Sequence, residues 1–283
     1  KDSTTYNNIS TIVEICGLLF IIGIGIFFVT TNYALSNMDL FDSPQGLYGI
    51  VSATTIIYFA FIGFENVVNI SEEVKNAKHV VPKALLISLF VSSLIYVLVS
   101  LSAISILGAQ NLSKSEAPLA EAAQKVIPKS SMALSLIALF ATSNTVLISL
   151  IVGSRLLYGL SRERLLPAAF SKVGKQGTPY FSVLSVGIIS ALSLLIGGIV
   201  NLAELVDLGI FIVYIFVNIV VIVLRYSQPQ AARGFTSPIN IGKFPVLPAL
   251  GIFLNLGMLY FFNIYTFIYG VLLTTLGFVF FVA

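Results

Sequence analysis

Long apolar runs separated by short polar stretches dominate the chain. No charged side chain occurs in residues 132–154, 180–203 or 208–224, and none from 244 to 283. A helix that crosses the hydrocarbon of a bilayer needs about 20 mostly apolar residues. The last run is about twice that length and suits two helices turned near Asn263. The runs are continuous and lack period-two alternation, so they read as helices rather than barrel strands. The pattern predicts eight spanning helices, over residues 9–30, 47–70, 84–107, 132–160, 180–200, 208–224, 246–262 and 264–283. Pro82, Pro179 and Pro248 sit near the starts of three of them, where a missing backbone N–H is tolerated.

Composition agrees. The 283 residues are 57% hydrophobic and 10% charged, against about 25% charged in soluble chains. So few charges cannot cover a water-soluble surface, and the fold class is an all-α integral membrane protein in a single transmembrane domain over residues 1–283. Cys16 is the one cysteine and His79 the one histidine. That excludes a disulfide framework and a Cys/His metal site, and neither a cofactor, a metal nor a nucleic-acid partner is expected. The first ten residues are polar and no cleavable signal is visible. The chain does not begin with Met.

The charges are sorted by loop. Lys1, Lys75, Lys78, Lys83, Arg155, Arg162, Arg164, Lys172, Lys175, Arg225, Arg233 and Lys243 fall on one side of the predicted spans. Only Lys114, Lys125 and Lys129 of the 15 Lys and Arg residues fall on the other. The positive-inside rule makes the richer side cytoplasmic, with both termini. The loop 109–131 holds an amphipathic segment, Pro118–Val126, with Leu119, Ala122, Ala123 and Val126 at helical spacing. It reads as a surface helix or as a lid over a cavity mouth.

Polar residues at membrane depth are the candidates for function, because they are costly there. Glu14 lies one to two turns into the first span and reads as an interfacial carboxylate or an ion-coupling group. Glu65 follows Gly63 in the second span, beside Asn66. Transporter helices break near such glycines and expose backbone groups to substrate, although glycine also serves close helix packing. Thr142, Ser143, Asn144, Thr145 and Ser149 on the fourth span suit hydrogen bonds between helices. The Asn-x-Ser patterns at Asn8, Asn69 and Asn111 are read as chance.

Several segments together resemble the amino acid–polyamine–organocation (APC) superfamily of permeases. Gly153-Ser154-Arg155-Leu156-Leu157-Tyr158 through Leu165-Leu166-Pro167 is similar to the signature at the cytoplasmic end of the family's eighth helix. Phe59-Ala60-Phe61-Ile62-Gly63-Phe64-Glu65, with Glu72-Glu73-Val74-Lys75-Asn76 and Val81-Pro82-Lys83-Ala84, resembles the broken sixth helix and its following loop. Val217-Asn218 through Arg225-Tyr226 resembles the end of the tenth helix, and Asn144-Thr145-Val146-Leu147 also looks familial. The chain has Ala77 where the family usually has Pro, and the match begins at the family's fifth helix.

The resemblance implies a partial LeuT-like fold, equivalent to helices 5–12 of a twelve-helix permease with one broken helix. Helices 1–4 would come from an N-terminal segment outside this chain. It implies a secondary transporter for an amino acid, with a polyamine as the second choice, in the plasma membrane. The substrate site would include Phe59, Ala60, Phe61, Ile62, Gly63, Phe64 and Glu65. Phe59 would be the aromatic gate, and the carbonyls of 60–63 would take the substrate ammonium. Glu65, Glu14, Asn144 and Thr145 are the implied candidates for ion or proton coupling. Some proton-coupled relatives place a lysine where Glu14 stands, so that lysine mechanism does not carry over. The alternative is a non-transporting subunit, or a remnant that needs a separate N-terminal half. An enzyme is not expected, since no nucleophile–base pair is evident.

Overall fold

In a bilayer every backbone N–H and C=O must be paired within its own segment, and apolar runs satisfy that as helices. The computed structural model describes residues 2–32, 43, 45–64, 67, 71, 74–174, 177–196, 198–231 and 233–282. The helices are α1 (Asp2–Asn32), α2 (Gly46–Ile57), α3 (Ala77–Leu107), α4 (Ala109–Leu112), α5 (Pro118–Val126), α6 (Ser130–Arg162), α7 (Tyr180–Ser193), α8 (Ile199–Ser227), α9 (Val246–Leu259) and α10 (Ile264–Val282). Two short strands, β1 (Asn240–Ile241) and β2 (Phe244–Pro245), pair antiparallel in a loop.

Among the described residues, α1, α3, α6 and α8 are each long and apolar enough to cross a membrane. The α9–α10 pair reaches that length together and is sharply bent at residues 260–263, close to the predicted turn at Asn263. Gly46–Phe61 and α7 are shorter apolar helices. All eight predicted segments therefore contain helix, but those at 47–70 and 180–200 do not run through as single helices. The first tightens into a 3₁₀ turn at Tyr58–Phe61, the second into one at Leu194–Ile196. Large apolar side chains face outward, as lipid allows; Phe90 on α3 is 71% exposed.

Three boundaries differ from the sequence reading. Helix α3 starts at Ala77 rather than 84, so Pro82 lies in its second turn and cannot donate to Lys78 O. Helix α7 stops at Ser193. Helix α8 starts at Ile199, not 208, behind the turn residue Gly198 (φ +72°). The stretch with Glu204 and Asp207 is therefore helix, not loop.

The described chain falls into two compact units, Lys1–Phe41 with Ile87–Val152, and Asp42–Leu86 with Gly153–Ala283. In the first, Ile21, Ile24, Ile106, Ala122, Ala123 and Leu134 form a buried cluster from α1, α3, α5 and α6. Ala122 and Ala123 of α5 are fully covered, so the amphipathic segment is a docked helix whose apolar stripe faces inward. Lys125 donates to the Ile106 carbonyl and lies over the Phe28 ring. A side chain at Gly25 would strike Ser102, since an added Cβ would sit 2.3 Å from the serine Cβ. Small residues permit such close crossings.

In the second unit, α2, α9 and α10 pack against α8. Phe211 of α8 is 0% exposed; Tyr58 meets it edge-on at 4.7 Å and Phe262 stacks on it at 5.5 Å. The end of α6 is closed by a left-handed Arg164 (φ +63°), with Leu165 N–H donating to Leu160 O at 2.9 Å and Arg164 N–H to Ser161 O. That is a Schellman closure. Ser161 Oγ then donates to Pro167 O, and Ser182 Oγ to Phe170 O, both at 2.8 Å. Arg233 donates to the Leu224 and Gln228 carbonyls at the end of α8, where a cation is favoured by the helix dipole.

Candidate functional site

The resemblance directs attention to 59–65, and there the backbone leaves the helix. After α2 the chain tightens at Tyr58–Phe61, and Ile62 N–H donates to Phe59 O, three residues back, at 3.2 Å. Ile62 is extended (ψ 137°) and Gly63 has φ +121°. An L side chain rarely adopts that φ, so glycine is required by the backbone itself. A Cβ added at Gly63 would meet nothing within 4 Å among the described residues. The glycine thus serves the break and not close packing. Phe59 and Ala60 are exposed, while Phe61, Ile62, Gly63 and Phe64 are half-buried. Glu65 and Asn66 lie outside the described residues.

Beside the break is a cavity of about 430 Å³. Tyr58 and Phe64 line it from the break, Tyr214 and Asn218 from α8, Gly251 and Asn255 from α9. The Phe64 and Tyr214 rings are 6.2 Å apart, and Asn218 Nδ2 donates to Tyr214 O at 2.8 Å. The volume suits a small ligand, with aromatic walls and amide groups available.

A separate polar cluster forms in the first unit. Asn144 of α6 is 4% exposed, and its Nδ2 donates to Asn7 Oδ1 at 3.1 Å and reaches Glu14 Oε1 at 3.5 Å, both on α1. Asn144 Oδ1 is buried with no hydrogen-bond partner among the described residues. Tyr6 and Ser143 share a further hydrogen bond at 3.1 Å. Glu14 also lines an apolar cavity of about 500 Å³ with Glu116, Leu134 and Ala138. Thr145 is not drawn in; its hydroxyl donates to Ala141 O of its own helix. Of the coupling candidates, Glu14 and Asn144 meet and Thr145 stands apart.

Sequence reading passed over one pair. Glu204 Oε2 accepts from Thr266 Oγ1 at 2.8 Å and from Asn263 N–H at 3.4 Å, which ties α8 to the start of α10. Asp207, one turn later, is 0% exposed, and both its carboxyl oxygens lack a partner among the described residues. Spacing was the available signal: Glu204, Asp207, Leu208 and Phe211 recur at i, i+3, i+4 and i+7, one face of a helix.

The break, with aromatic rings and amides beside it, lies within apolar helices. The amino acid permease family matches residues 1–282. The chain belongs to that family. It is 32% identical to the branched-chain amino acid permease BcaP of Bacillus subtilis, over 91% of this chain and 55% of the relative. It is 30% identical to the methylthioribose transporter of the same organism, over 92% and 55%. With the vacuolar cationic amino acid transporter 4 of Arabidopsis thaliana it shares 28% identity over 81% of this chain and 39% of that protein. The chain spans about half the length or less of these curated relatives. Its family and its apolar helices make it a multi-pass membrane protein.

Proposed function

We propose that the chain is the substrate-binding and gating part of a secondary transporter that moves an amino acid across the membrane without chemical change. The observation that carries this is the break at Ile62–Gly63 beside an aromatic, amide-lined cavity. An α-carboxylate and an α-ammonium both need partners in a region without water, and backbone groups at a break supply them without buried side-chain charge. Phe59 covers the substrate, the carbonyls of 60–63 receive the ammonium, and Glu65 organises the break or carries a proton. Glu14 and Asn144 form the second candidate for ion coupling. A neutral branched-chain amino acid suits the cavity best, because its described lining residues bring no charge of their own and the first relative is named for that class. A plasma-membrane location and cytoplasmic termini complete the proposal; the Lys and Arg distribution supports the orientation.

The test is counterflow in proteoliposomes made with the product of the complete reading frame. Labelled leucine, arginine and methylthioribose are compared as substrates. Leucine should exchange, and Phe59→Ala should weaken its transport by about 1–3 kcal/mol in transition-state terms, as for a lost pocket group. Wild-type leucine kinetics in Phe59→Ala would move the site elsewhere. No exchange of any of the three would remove the transporter reading.

A further inference from the structure

Asp207 is a fully buried carboxyl on α8. It lies past the first turn of α8, so the free N–H groups of the helix start do not reach it. Its own face of α8 holds Leu208 and Phe211, in a cluster with Phe262 and half-buried Tyr58, Met258 and Phe267. Among the described residues the charged neighbour that acts on it is another acid, Glu204, already tied to Thr266 and Asn263. Among the described residues, the segments packed against α8 bring no cation. Gly46–Phe61, Leu194–Ile196, β2, α9 and α10 contain no Lys, Arg, His, Asp or Glu, and their ionisable groups are Tyr48, Tyr58, Tyr265 and Tyr269.

A buried carboxylate without a counter-charge takes up a cation or a proton. A metal ion needs several oxygen ligands. Neither oxygen of Asp207 has a polar partner, and no three His, Cys, Asp or Glu side chains gather at ligating distance among the described residues. The proton is the ligand that fits.

We propose that Asp207 is a proton-binding site, loaded while α8 is packed as seen and emptied when the aromatic seal beside it opens. This rests on the transporter reading for its role in coupling. Phe211, one turn on, is held edge-on by Tyr58, and Tyr58 opens the 3₁₀ turn of the substrate break. Rearrangement of 58–63 around a substrate unseats that ring and lets water reach the carboxyl. Proton release is thereby tied to substrate movement, through a carboxyl other than the coupling candidates Glu14 and Glu65.

The experiment has two arms, both on the complete protein in lipid. Infrared spectra across pH should show a protonated-carboxyl C=O band that Asp207→Asn removes and Asp207→Glu displaces. In proteoliposomes, Asp207→Asn should abolish leucine accumulation driven by a pH gradient while leucine counterflow persists. Asp207→Glu should restore accumulation with a shifted pH profile. Identical spectra for wild type and Asp207→Asn overturn the proton site. A lost band with undiminished gradient-driven accumulation overturns the coupling. If the wild type shows the band but exchanges none of leucine, arginine and methylthioribose, the transporter reading and its coupling fall and the proton site stands. Should Asp207→Asn fail to reach the membrane, Asp207→Glu decides alone: a displaced band supports the site, and an unchanged spectrum overturns it.

Discussion

Adjacent residues on one helix can have opposite importance, and Asn144 and Thr145 show why. Asn144 bridges from α6 to Asn7 and Glu14 of α1 in a buried setting, whereas Thr145 bonds a carbonyl of its own helix and is exposed. Hydrogen bonds between membrane helices are worth about 0.6–2 kcal/mol. Asn144→Ala should therefore destabilise by about that amount in a thermal-unfolding assay in detergent, and Thr145→Ala by under about 0.5 kcal/mol. Equal losses would show that the bridge carries nothing. Gly63 makes the same point through the backbone. Its φ of +121° penalises any side chain, while among the described residues the space around its absent Cβ is open. Gly63→Ala should already cost on the order of 1–3 kcal/mol, and Gly63→Leu should add little in stability. A much larger loss for Leu than for Ala in the same assay would mean that crowding, not backbone strain, demands the glycine.

Helix ends were harder to read from sequence than helix interiors, and the reasons differ from case to case. The apolar runs fixed where helix occurs because each buries its own backbone polarity. The amphipathic stripe of Pro118–Val126 was also visible, since Ala122 and Ala123 keep its period. The break at Ile62–Gly63 could be anticipated from a glycine beside a carboxylate, but the cavity next to it could not. Tyr214, Asn218, Gly251 and Asn255 come from elements distant in sequence. The start of α8 was missed because Glu204 and Asp207 look like loop residues when charge alone is weighed. Their helical spacing, and the bonds from Glu204 to α10, outweigh that. Amide exchange tests the revised boundary: residues 205–208 should exchange slowly, at rates like those of 209–215. Exchange as fast as in 228–231 would return this stretch to a loop. Arg164 tests another end. A left-handed Arg costs about 1–2 kcal/mol that glycine avoids, so Arg164→Gly should raise the melting temperature and Arg164→Val lower it. A melting temperature unchanged by both would mean that the closure of α6 is not strained.

At the scale of the molecule, the apolar exposure of the helices and the sorting of basic residues answer to the same bilayer. Outward Phe90, Leu195 and Phe253 are stable facing lipid, and loops rich in Lys and Arg resist transfer across it. The loops that would stay behind are those near Lys78, Lys172 and Arg233, together with both ends of the chain. They share structural marks as well as charge. Arg233 caps α8, and the stretch around Gly234 passes close to Lys78 at the start of α3. The opposing loop carries Lys114, Lys125 and Lys129, and Lys125 is turned inward onto Ile106 and Phe28, so less of its charge is offered to the surface. Single cysteines near each group test the orientation in intact cells with an impermeant thiol reagent. Cys16 must first be replaced, because it is exposed on α1. Cysteines at Lys78, Lys172 and Arg233 should label only after the cells are opened, and a cysteine at Ser113 should label from outside. The reverse pattern would invert the topology. Labelling of Lys78 and Ser113 positions from the same side would mean that α3 does not cross, despite its length.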